Sequence, residues 1–165
     1  MRGRVCLDVG ASTGGFTQVL LLRGARHVFA VDVGRDQLHA SLRDNDRLTS
    51  IERTDIRALA RLRLPEQPDF ATVDVSFISL KLVLPAIAHL LAARATVVAL
   101  IKPQFEAPRG TVKKGIVREA AVRQSAVDAI AAFLAAEGWR VGGRMPSPIR
   151  GGDGNAEFFI EAERG

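Results

Sequence analysis

Strand-length apolar runs alternate along the chain with helical patterns, and that alternation leaves few folds open. Val5–Val9, His27–Val31, Leu48–Ile51, Phe70–Val75 and Thr96–Ile101 read as strands. Gly14–Leu22, Gln37–Leu42, Leu80–Ala92 and Glu119–Glu137 read as helices. The first helix shows Phe16, Val19 and Leu20 on one face, and the last shows Val122, Ala126, Ile130, Phe133 and Leu134. Pro85 must sit in the first turn of its helix or kink it. Continuous apolar strands separated by helices imply a parallel sheet covered on both faces. Trp139–Met145 and Glu157–Ala162 have no helix between them, so they are expected to close the sheet as an antiparallel hairpin at one edge. The expected architecture is therefore α/β and Rossmann-like, a mostly parallel seven-stranded sheet with a C-terminal antiparallel hairpin.

Composition narrows the class. The 165 residues, 47% apolar and 25% charged, suit one globular domain over residues 1–165. The single cysteine, Cys6, excludes an internal disulfide framework and fits a reducing, cytoplasmic setting. No apolar run reaches the ~18–20 residues that span a bilayer, so no membrane partner is expected. The first residues do not read as a signal peptide, because the apolar stretch is short and Asp8 interrupts it. A net charge of +5 permits a polyanionic partner. The absence of tyrosine argues against a broad base-stacking platform.

The sharpest local feature is Asp8-Val9-Gly10-Ala11-Ser12-Thr13-Gly14-Gly15-Phe16, between the first strand and the first helix. That is the ligand crevice of an open α/β sheet. It could also be a tight turn that merely needs glycine. Ser12 stands where a dinucleotide fingerprint has its second glycine, and Asp8 would repel phosphate. A ligand with ammonium and sulfonium groups and no phosphate suits the turn better, and S-adenosylmethionine (SAM) is such a ligand. Asp32, ending the second strand, stands where an acid accepts ribose hydroxyls. Asp55 could bind the adenine amino group or simply cap a helix over 56–59.

Charged residues mark three other strand ends. Asp74 follows the fourth strand, Lys102 the fifth, and Glu157 opens the last. An antiparallel last strand would bring Glu157 to the edge shared by Asp74 and Lys102. Each could alone be a solvated strand-end charge. Together they suit methyl transfer to a ribose 2′-hydroxyl, with the lysine activating the hydroxyl and the acids orienting the lysine.

Leu7 to Thr17, Asp74-Val75-Ser76-Phe77-Ile78-Ser79-Leu80, Lys102-Pro103-Gln104-Phe105-Glu106 and Gly154-Asn155-Ala156-Glu157-Phe158-Phe159 carry a close resemblance. On these blocks the chain resembles the TlyA (haemolysin A-like) family of ribosomal RNA 2′-O-methyltransferases, within the FtsJ/RrmJ-like methyltransferases. The resemblance implies a SAM-dependent enzyme acting on ribosomal RNA or ribosomal subunits. It implies a Lys-Asp-Lys-Glu tetrad whose last three members match Asp74, Lys102 and Glu157. It also implies SAM contacts at Asp8, Gly10, Ala11, Ser12, Gly14, Gly15, Phe16, Asp32, Asp55 and Asp74, and no metal. The family's first lysine lies upstream of the first strand, where only Met1–Arg4 stand here, and an always-charged guanidinium at Arg2 or Arg4 is no substitute base. The family's N-terminal S4-type RNA-binding domain is expected to be absent from this chain. The alternative function is a SAM-binding but weak or inactive RNA-binding or ribosome-assembly module.

Gln104–Val117 reads as a long loop, ordered or disordered, bearing Arg109, Lys113, Lys114 and, just beyond, Arg118. A second basic group is Arg53, Arg57, Arg61 and Arg63. Either could be a solvated face. The first is the expected RNA contact because it follows Lys102. Phe77 could be core or could stack on a base.

Overall fold

The computed structural model describes residues 1–60 and 64–165, apart from the side chain of Arg109. Arg61 and Arg63 of the second basic group, and the Arg109 side chain, thus lie outside the described residues. Seven strands form one sheet in the order β3-β2-β1-β4-β5-β7-β6. They are β1 Val5–Val9, β2 His27–Val31, β3 Leu48–Ile51, β4 Phe70–Val73, β5 Ala95–Ile101, β6 Arg140–Pro146 and β7 Phe158–Arg164. The first five are parallel, and β7 pairs antiparallel with both β5 and β6. The expected architecture is the observed one.

The helices are α1 Gly15–Leu22, α2 Ala40–Arg43, α3 Ile56–Leu59, α4 Leu80–Leu90, α5 Pro103–Glu106 and α6 Ala120–Ala136. Helices α3, α4 and α6 bury the larger core against one face, around Leu7, Ile87, Ile101 and Ile130. Helices α1 and α2 cover the other face through Leu20, Leu21 and Leu42. Chain order reverses between β1 and β4, which opens a crevice at the carboxyl ends of the central strands.

Several local expectations change. The buried face of α1 runs through Thr17, Leu20 and Leu21, and Val19 is 50% exposed. Thr17 turns inward because its hydroxyl donates to the buried Asp8 carboxylate. The second helix starts at Ala40, not Gln37: the Glu52 carboxylate accepts the amides of Asp36, Gln37 and Leu38 and holds that segment open, and His39 then caps the helix. Strand β4 ends at Val73, after which the backbone turns towards Phe77 at φ 64°. Pro85 lies in the second turn of α4, on its exposed side, where water can serve the Lys81 carbonyl. Helix α4 stops at Leu90, and the Arg164 guanidinium takes the carbonyls of Ala88, Leu91 and Ala92. The 104–117 segment contains most of α5, a 3₁₀ turn at Arg109–Thr111 and a bridge between Lys113 and Ile116. The last strand starts at Phe158, with Glu157 just before it.

Candidate active site

The crevice holds a cavity of about 400 Å³ lined by Gly10 and Ser12 of the first turn, by Asp32 and Asp55 after β2 and β3, and by Asp74 to Ile78 after β4. A volume of this size lies in the range of small-molecule sites. Three carboxylates reach the wall, and among the described residues no lysine, arginine or histidine lines it. That charge pattern disfavours a phosphate and favours a cationic ligand.

Backbone geometry shapes the wall. Gly10 has φ 79°, and a Cβ there would overlap the Asp74 carbonyl oxygen. Only glycine lets β1 pass this close to the end of β4. Ser12, at φ 47°, donates its amide to Asp32 Oδ2 at 2.8 Å, and Gly34 donates to Asp32 Oδ1 at 2.7 Å. Asp32 therefore ties the first turn to the end of β2 and keeps lone pairs for further donors. Asp55 does two things: it caps α3 through the Arg57 amide, and it faces the cavity. The Arg57 guanidinium beside it holds its carboxyl below the usual range.

The remaining expected cofactor residues are not on this wall. Asp8 is fully buried, with Thr17 Oγ1 donating at 2.6 Å to one oxygen and Thr72 Oγ1 at 2.8 Å to the other. Thr72 is its register partner on β4. The expectation that Asp8 shapes ligand charge is corrected: burial raises its carboxyl above the usual range, and it serves as an internal anchor. Ala11 is buried, and its amide donates to the Val31 carbonyl. Gly14, at φ 95°, and Gly15 border a separate shallow pocket behind the turn. The Phe16 ring meets Phe159 edge-on at 6.3 Å.

Beside the cavity, the three expected catalytic residues converge. The Lys102 ammonium lies 2.6 Å from Asp74 Oδ1 and donates to Ser76 Oγ at 2.8 Å. Its side chain is only 13% exposed. The register explains the third member: Ile101 pairs with Phe158, so one step further Lys102 stands opposite Glu157. Glu157 is 7% exposed. Burial pushes its carboxyl up, and the Lys102 charge and the Gln104 amide partly offset this. Gly151 makes room for it, since a Cβ there would overlap the Glu157 carboxylate.

Arg4 lies at the opposite edge of the sheet, paired with Asp69 at 3.1 Å and stacked over Phe70. Phe77 is 90% exposed, with its ring 5.1 Å from Phe105. Sequence reading gave no role to Glu106, which holds these two loops together. Its carboxylate accepts the Ser79 hydroxyl at 2.6 Å and the Leu80 amide at 2.7 Å, at the start of α4. Its position four residues after Lys102 was the available clue. Lys113, Lys114 and Arg118 are exposed as expected. Among the described residues, no group of three or more His, Cys, Asp or Glu side chains is arranged to hold a metal ion.

Residues 1–164 match the model of FtsJ-like methyltransferases. The chain belongs to the FtsJ-like methyltransferase family. Within it, the chain is 46% identical over 159 residues to the 16S/23S rRNA (cytidine-2′-O)-methyltransferase TlyA of Mycobacterium tuberculosis. That match covers 96% of this chain and 59% of TlyA, so the FtsJ-like chain spans about three-fifths of the relative's length. A solved structure of a candidate hemolysin from Streptococcus thermophilus superposes with a TM-score of 0.95 at 46% identity, covering 99% of this chain and 60% of that one. The fold alone extends further. A Burkholderia thailandensis 1,6-didemethyltoxoflavin-N1-methyltransferase, solved with S-adenosylhomocysteine, matches with a TM-score of 0.70 at 20% identity, covering 99% of this chain and 72% of that one. Among the described residues, no helix of this FtsJ-like chain is long and apolar enough to cross a membrane.

Proposed function

We propose that this chain transfers a methyl group from SAM to a ribose 2′-hydroxyl of ribosomal RNA. The observation that carries the reading is the Asp74–Lys102–Glu157 cluster set against an acidic cavity of about 400 Å³. The residues present fit SAM. Asp32 and Asp55 can accept hydroxyl and amino protons, Gly10 presents bare backbone on the wall, and the carboxylates suit a cation. When bound, SAM supplies an electrophilic methyl group on sulfonium.

The chain's own residues handle the acceptor. A ribose hydroxyl is a weak nucleophile, so orienting and polarising it is the main task. Lys102 is ion-paired with Asp74 and donates to Ser76 Oγ, which holds its Nζ in place for the acceptor oxygen. Asp74 holds the ammonium by a direct ion pair and Glu157 adds its charge from the facing position before β7, so little reorganisation is needed as charge develops. The hydroxyl proton can pass only to a neutral amine, so Lys102 first gives a proton to water and then takes the hydroxyl proton, re-forming the ammonium beside Asp74, while bound SAM would supply the methyl group. Exposed Phe77, packed on half-buried Phe105, borders the acceptor side and suits a base stacked beside the reacting ribose.

The TlyA relative, named for 16S/23S rRNA cytidine-2′-O-methylation, supports ribosomal RNA as the acceptor. Transfer of tritiated methyl from SAM to 16S and 23S rRNA, followed by nucleoside analysis, tests the reading. A 2′-O-methylnucleoside is expected. Label on a base, or none, would reject it.

A further inference from the structure

Lys113 to Ile116 is a two-residue β-turn. The Lys113 amide donates to the Ile116 carbonyl at 3.1 Å, and the Ile116 amide donates back at 3.0 Å. The central residues, Lys114 and Gly115, have φ of 50° and 76°. Positive φ at both is the signature of a type I′ hairpin turn. Glycine adopts this geometry freely, whereas a lysine at Lys114 is held against its backbone preference. Turn geometry alone does not call for lysine here. Lys113 and Lys114 are both exposed, and among the described residues neither forms a salt bridge.

The turn is latched from elsewhere in the fold. Asn155 is 2% exposed. Its Nδ2 donates to the Gly115 carbonyl at 2.8 Å, and its Oδ1 accepts the Val117 amide at 3.1 Å. Arg123 of α6 adds bonds to the Val117 and Arg118 carbonyls. Asn155 stands two positions before Glu157, in a loop closed by the Ser147 amide on the Glu157 carbonyl. One buried amide therefore ties the lysine-tipped turn to the loop that sets Glu157.

We infer that the Lys113–Ile116 turn is a preformed contact for RNA phosphates and that Asn155 is the positioning residue that fixes it relative to the Asp74–Lys102–Glu157 cluster. This rests on the proposed RNA acceptor. A preset pair of ammonium groups binds phosphate without ordering a loop, and it holds the backbone in register while the cluster engages the ribose. Phosphate contacts carry a measurable mark, because each adds close to one unit to the salt slope of binding.

The test is filter binding of in vitro-transcribed 16S and 23S rRNA between 50 and 200 mM salt, with SAM affinity and melting temperature measured on the same samples. Lys113→Ala/Lys114→Ala is expected to weaken RNA binding about tenfold at low salt and to lower the salt slope by about 2. Lys114→Gly relieves the backbone, so it should melt no lower than the parent yet bind RNA more weakly. Asn155→Ala should weaken RNA binding with SAM affinity unchanged within about twofold. Added to the lysine double variant, it should cause no further loss. An equal Asn155→Ala loss in the lysine-free background would overturn the positioning role, and so would loss of SAM binding. Parent-like RNA binding by the lysine variants would overturn the phosphate contact while leaving the proposed methyl transfer standing. A parent chain that binds SAM but neither RNA would reject the proposed function, and this inference with it.

Discussion

The Lys102 ammonium sits 2.6 Å from Asp74 Oδ1, joining the ends of two adjacent parallel strands. Neither residue needs a flexible loop to reach the other. Lys102→Ala is therefore expected to lower kcat by about 10²–10⁴-fold with SAM affinity retained. Lys102→Arg keeps the charge but cannot release a proton, and its planar fork does not match the Asp74–Ser76 geometry, so it should fail similarly. Parallel kinetics and calorimetry check both variants. Near-parent turnover by either would remove Lys102 from the chemistry.

Two glycines of the first turn should behave oppositely. Gly10→Ala forces a methyl group into the Asp74 carbonyl at positive φ, so it should weaken SAM binding at least about tenfold and destabilise the fold by about 1–3 kcal/mol. At Gly15, the first residue of α1, a Cβ meets nothing within 4 Å. Gly15→Ala should change stability by no more than about 0.5 kcal/mol in either direction. Thermal melts and calorimetry on the pair separate cavity shape from general sensitivity of the turn.

Burial raises the Glu157 carboxyl above the ordinary glutamate value near 4.5. Its charged form is the one that steadies the Lys102 ammonium. Turnover should thus fall as pH drops through a value above the normal glutamate range. Glu157→Gln should lower kcat and erase that acid limb. A pH–rate profile with the limb unchanged in the variant would contradict the assignment.

Asp8 gives a stability prediction of definite sign. Its folded pKa is raised by burial, so its contribution is most favourable below the unfolded value near 3.8 and is lost as pH rises through the folded value. Asp8→Asn can keep the Thr17 and Thr72 hydrogen bonds without the buried charge. The melting temperature of the variant, relative to the parent, should therefore climb with rising pH and then level off. A gap that narrows with pH would mean that Asp8 is held charged by its hydroxyl partners.

The parallel strands were legible because buried strands read as unbroken apolar runs. Asp74 and Lys102 stood out because a charge ends an apolar run there, and Glu157 because an antiparallel last strand brings its start to the same edge. What escaped depended on partners far away in sequence. Asp8 read as a ligand group because Thr72, 64 residues on, supplies a hydroxyl that no local pattern announces. The start of α2 moved because Glu52, 14 to 16 residues downstream, binds the preceding amides. The 104–117 segment left order and disorder open because its latch, Asn155, comes 38 residues after Val117. Asp55 offered two readings because it stands between a strand and a helix: it caps α3, and its place on the cavity wall is what the proposed adenine contact requires.

The most direct measurement is the position of the methyl group in the RNA product. Tritiated SAM is incubated with 16S or 23S rRNA and the chain. The RNA is then digested to nucleosides and resolved. Label on a 2′-O-methylnucleoside, lost in Lys102→Ala while that variant still binds SAM, is the expected result. Label on a base, or equal transfer by Lys102→Ala, would contradict the assignment of Lys102 and its two carboxylates to ribose methylation.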